Sequence, residues 1–76
     1  MSRLSPLDKL VLMANQIARN LAINGEEAAT AGTAMHITEF WDPRMKRMIH
    51  EHLAAGGEGL SPIAKAALER VAVPAA

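Results

Sequence analysis

Apolar side chains recur along the first third of this chain at intervals that alternate three and four. Leu7, Leu10, Ala14, Ile17 and Leu21 form the stripe, with Val11 and Ala18 beside it. That spacing marks one face of an α-helix. Leu12 falls off the stripe among polar neighbours, either as an ordinary exposed leucine or as a partner contact. The next segment has two apolar sides. Ala28, Ala31, Gly32 and Met35 make a small-residue strip that permits close approach of another helix, while Ile37, Phe40 and Trp41 point roughly the other way. A helix of that kind is central in a bundle or shared with another chain. Farther on, Met45, Met48, Ile49, His52 and Leu53 share one face, opposite Lys46, Arg47, His50 and Glu51. Ile63, Ala64, Ala67, Leu68 and Val71 then point inward, with Lys65 and Glu69 outward. No run alternates with the period of a strand.

The punctuation agrees with these periods. Ser5-Pro6, Asp42-Pro43 and Ser61-Pro62 each pair a capping side chain with a proline at the first helical position. Asn24 offers a fourth cap, followed by Glu26 and Glu27, which suit the positive end of a helix. Asn24-Gly25, Gly56-Gly57 and Pro74 read as stops, and Gly56-Gly57-Glu58-Gly59 as a flexible loop. The pattern predicts an all-α fold, a small bundle of four short helices near residues 6–22, 25–40, 43–54 and 62–72, in one small domain over 1–76. Gly32 inside a helix costs up to about 1 kcal/mol relative to alanine, which close packing would offset.

Size changes the picture. A chain of 76 residues buries only roughly 60% of its unfolded surface. Half of the residues are hydrophobic, but many are alanine, which removes little area from water. The predicted core is therefore marginal, with apolar surface left for a partner or for self-association when the partner is missing. The absence of cysteine removes disulfides, thiolate metal sites and thiol catalysis, and fits a reducing compartment. Neither a signal peptide nor a membrane-spanning run is expected. Lys plus Arg number 8 and Asp plus Glu number 8, for zero net charge, which disfavours binding to nucleic acid by bulk charge.

Candidate chemistry is sparse. Ser5 and Ser61 are explained by capping, so no catalytic residue is assigned. His50 and His52 lie two apart, about 200° around a helix. His36 and Glu39 together are too few for a structural zinc, so no metal site is assigned. His52, inside an apolar stripe, is either packed with one hydrogen bond or buried against a partner. The informative stretch is Phe40-Trp41-Asp42-Pro43-Arg44-Met45, which holds both aromatic residues of the chain and then a helix start. It predicts a corner between two helices and an anchor for another protein. Arg44, Lys46 and Arg47 form either a solvated face near Glu39 and Asp42 or a grip on an acidic partner surface. Met45 and Met48 suit an adaptable docking face. The predicted partner-binding set is Phe40, Trp41, Asp42, Pro43, Arg44, Met45, Arg47 and Met48. On this reading Trp41→Ala would weaken association and leave helical content largely intact.

Met13-Ala14-Asn15-Gln16-Ile17, then Phe40-Trp41-Asp42-Pro43-Arg44-Met45, then His52-Leu53-Ala54-Ala55-Gly56-Gly57 and Gly59-Leu60-Ser61-Pro62 occur in an order that resembles one known family. It is the small delta subunit of the cytoplasmic, NAD-dependent, molybdenum-containing formate dehydrogenases of bacteria. The likeness runs from about Leu7 to about Val71 and departs from the family's pattern mainly around residues 23–34. It implies an accessory subunit without a redox centre, docked on a complex that oxidises formate to CO2 and reduces NAD to NADH. The large alpha subunit of that complex would carry the molybdenum cofactor. Other subunits would carry FMN, iron–sulfur clusters and the NAD site. Two alternatives from other classes are a transient maturation factor for insertion of the molybdenum cofactor and, more distantly, a small nucleic-acid-binding helical domain.

Overall fold

A computed structural model describes residues 4–73. Four α-helices follow one another: α1 (Pro6–Leu21), α2 (Glu26–Phe40), α3 (Pro43–Ala54) and α4 (Pro62–Glu69), with a 3₁₀ turn over Ala22–Asn24 between the first two. Among the described residues there is no strand. The fold is all-α, as the periodicity predicts. Pro74, read as a stop, lies outside the described residues.

The three Ser/Asp-Pro starts work as their chemistry requires. Ser5 Oγ accepts from the Asp8 amide and the Asp8 carboxylate accepts from the Ser5 amide, both at 3.1 Å, closing a reciprocal capping box. Asp42 Oδ1 accepts from the Met45 amide at 2.9 Å, and Ser61 Oγ from the Ala64 amide at 3.2 Å. The fourth start differs from expectation. Asn24 does not cap α2; it closes the 3₁₀ turn, and Gly25 occupies the cap position without a side-chain hydrogen bond. Gly25 has φ of 98°, a region that favours glycine, so backbone freedom and not a side chain makes this corner. At the other end α4 stops at Glu69, short of 72. Its last turn tightens, with Arg70 N–H donating to Ala67 O and Val71 N–H to Leu68 O.

The core collects Leu10, Ala14 and Ala18 of α1, Ala34 and Ile37 of α2, Trp41, Ile49 of α3, Leu60, then Ala64, Ala67, Leu68 and Val71. Leu7, Val11, Ile17, Met45, Met48, Leu53 and Ile63 pack around it. α2 is central, packing against both α1 and α4.

The inward face of α2 is not the small-residue strip. Ala29, Thr30, Thr33, Ala34 and Ile37 are buried, whereas Ala28, Ala31 and Met35 are exposed. Ile37 and Trp41 are four residues apart, and burying those two large side chains outweighs burying alanines and one methionine. Their face brings Thr30, Thr33 and Ala34 inward with it. Thr30 meets this burial by donating its hydroxyl back to Glu26 O at 2.9 Å. Gly32 lies at the edge of the packed face. A Cβ there would come within 2.9 Å of Leu21 Cδ1, so the close approach read from sequence is made by the end of α1.

Candidate partner-docking site

The hexapeptide Phe40–Met45 forms the predicted corner. Pro43 disfavours helical backbone at the preceding residue, and Asp42 is extended with ψ of 168°. α2 therefore ends at Phe40. Trp41 N–H closes the last turn by donating to Ile37 O at 3.0 Å, and Asp42 opens α3.

This corner separates the two aromatic side chains. Phe40 is 70% exposed and Trp41 only 4%. The Phe40 ring lies against His36, with ring centroids 4.8 Å apart and planes inclined by 41°. The indole belongs to the core, and its Nε1–H is buried without a hydrogen-bond partner. Where the sequence paired both rings as one anchor, the chain by itself encloses the Trp41 indole, because one step along the backbone turns neighbouring side chains in different directions. Phe40 is the aromatic that faces outward.

Around Phe40, Asp42, Pro43 and Arg44 are exposed, while Met45, Arg47 and Met48 are half-buried. Met45 and Met48 pack on the core. The Asp42 carboxylate is occupied by its cap. Lys46 donates through Nζ to Thr38 O at 2.8 Å, which binds α3 back to the end of α2. Among the described residues the one ion pair lies elsewhere: Arg70 donates bidentately to Glu27, at 2.8 and 2.9 Å. These hydrogen bonds first, and the guanidinium charge second, hold the Glu27 carboxyl below its ordinary pKa; Glu27 raises that of Arg70 in the same way. Both groups are exposed, so the pair adds little to stability.

His50 and His52 turn to different carbonyls. His50 Nε2 lies 3.0 Å from Val71 O and His52 Nε2 2.7 Å from Glu58 O. A carbonyl only accepts, so each Nε2 carries the proton and donates. His52 thus makes one hydrogen bond from a half-buried position. Among the described residues, no three His, Cys, Asp or Glu side chains gather as a metal-ligand set.

Other apolar surface is open. Met35 is 61% exposed and Ile23 90%. Leu12 is exposed and lines a groove of about 350 Å³ with Leu4, Leu7, Val11 and His52. One contact left no local signal in the sequence. Asn15 donates through Nδ2 to Gly59 O and accepts at Oδ1 from the Ser61 amide, each at 2.8 Å. It joins two of the sequence blocks that carry the family resemblance.

This arrangement defines a small all-α module with a capped corner, an outward aromatic and several uncovered apolar side chains. The chain belongs to the NADH-dependent formate dehydrogenase delta subunit family, FdsD, whose model matches residues 9–68. No curated protein and no solved structure matches the chain. Among the described residues, no helix is long and apolar enough to cross a membrane.

Proposed function

We propose that this chain is a non-catalytic accessory subunit of a cytoplasmic, bacterial, NAD-dependent formate dehydrogenase, and that it supports assembly or stability of the catalytic alpha subunit by direct contact. The family membership carries the reading. The uncovered side chains support it: a small core with several alanines leaves Phe40 and Met35 in water, and side chains of that kind gain most by packing on another protein. In this reading Phe40 is the anchor. Pro43 and Arg44 flank it, Asp42 holds the corner, and Arg47, Met45 and Met48 continue the surface along α3. The molybdenum cofactor, iron–sulfur clusters, FMN and NAD belong to the partner subunits.

The test is co-purification of the alpha subunit with the tagged chain. Phe40→Asp is expected to reduce recovery at least tenfold while leaving the far-ultraviolet circular dichroism unchanged. Equal recovery would remove Phe40 from the interface. Stoichiometric retention in the active complex would exclude a purely transient maturation role. Full assembly and unchanged molybdenum content in cells lacking this subunit would overturn the accessory role itself.

A further inference from the structure

α3 is attached differently from the other three helices. Of its 12 residues only Ile49 is fully buried, whereas α4 buries Ala64, Ala67 and Leu68 within 8 residues. α1, α2 and α4 pack against one another as a three-helix unit, while α3 meets α1 and, more sparsely, α4, and barely touches α2. Much of what fastens α3 is polar. Lys46 reaches Thr38 O, His50 reaches Val71 O and His52 reaches Glu58 O, three side chains each donating to a backbone carbonyl outside the helix. Such bonds exchange readily with water and contribute modestly to stability.

Both ends of α3 suit a hinge. Before it, Trp41 and Asp42 are extended. After it, Gly56 and Gly57 have φ of 122° and 64°, and the chain is anchored again at Gly59 and Ser61 by Asn15. In the closed state Gly57 N–H donates to His52 O at 2.8 Å and caps the helix; once that cap opens, the two glycines let the segment between Ala55 and Glu58 change direction while the clamp onto α1 stays closed.

We infer that α3 is a flap on a three-helix core, opening as a unit about Trp41–Asp42 and Ala55–Glu58 while α1, α2 and α4 stay folded. Opening uncovers the apolar face of α3, Met45, Met48, Ile49 and Leu53. That an opened α3 presents this face to the formate dehydrogenase alpha subunit rests on the accessory-subunit reading. The opening itself is a property of the isolated chain.

Native-state hydrogen exchange of the full chain, followed by NMR at constant pH, tests it. The slowest amides of α3, over Met48–Leu53, are expected to share one opening and to exchange at least tenfold faster than the slowest amides of α1 and α2. The double variant Lys46→Ala/His50→Ala is expected to speed α3 exchange by roughly a further tenfold without changing the ratio between α1 and α2. Equal protection of α3, α1 and α2 in the unaltered chain would overturn the flap, and this measurement decides even where the variant fails to fold. That outcome leaves docking to be judged by co-purification. Failed co-purification with fast α3 exchange would remove the docking reading and keep the flap.

Discussion

Asn15 on α1 and Ser61 at the cap of α4 are 46 positions apart and joined by one hydrogen bond of 2.8 Å, from the Ser61 amide to Asn15 Oδ1. The other half of the same carboxamide donates to Gly59 O. One side chain thus satisfies a donor and an acceptor on either side of Leu60, itself a core residue, and sets where α4 begins. Asn15→Ala should lower stability by about 1–3 kcal/mol, since both backbone groups lose their partner. Asn15→Asp should recover less than half of the loss, because it keeps the acceptor for Ser61 but sets an oxygen against Gly59 O. Urea denaturation of the three proteins measures the difference. An unperturbed Asn15→Ala would show that the loop holds its form without the clamp.

Thr33 is fully buried and its hydroxyl has no partner. Thr33→Val has nearly the same shape and removes the unmet group. We expect it to raise stability by about 1 kcal/mol. A fall in the unfolding midpoint would mean that the hydroxyl has a bound water or another partner in solution.

The two aromatic neighbours should respond oppositely. Trp41→Ala empties part of a core with few large side chains, and about 3–5 kcal/mol is the usual loss for such a change. In a domain this small that is enough to unfold most of the population. Phe40→Ala should leave the melting temperature within a degree or two, because its ring is largely in water. Circular dichroism melts of both variants decide the matter. This reverses the sequence-based expectation that Trp41→Ala would spare the helices.

Asp42→Ala removes the cap of α3 and should destabilise by about 1 kcal/mol, while Asp42→Asn, which still offers an oxygen to the Met45 amide, should lose little. If α3 opens as a flap, its amides should report the lost cap more strongly than those of α1. Equal changes throughout would tie α3 to the global fold.

Glu27 and Arg70 give the chain a small dependence on pH. The folded-state pKa of Glu27 is lowered, so its contribution is fully present above the ordinary carboxylate value and disappears as pH falls through the lowered one. Arg70 is raised, so its share persists below the ordinary guanidinium value, across the whole usable range. Glu27→Gln should therefore melt slightly below the unaltered chain at neutral pH, with the gap closing in acid and in high salt. A gap that persists in acid would point to a role for Glu27 other than this pair.

The helices were legible because their determinants are local. Ser5, Asp42 and Ser61 each meet an amide three residues away, and three of the four apolar stripes mark faces that the structure buries. Asn24 misled because capping by side chain and turning by glycine compete at that corner, and φ at Gly25 decided it. The docking surface was legible only as a stretch of chain. Nothing in the order Phe40-Trp41 says which ring faces water.

What the amino-acid sequence determined by itself was therefore the four α-helices, three of their caps and, through its motif blocks, the family. The tertiary structure alone decided which side of α2 faces inward, that Trp41 is core and Phe40 surface, and that Asn15 meets Ser61. The physical reason is range. Caps and periodicity act over three or four residues and leave a mark in the order of side chains. The inward face of a helix with two modest apolar sides depends on what α1 and α4 bring against it, and that is known only once the chain has closed on itself.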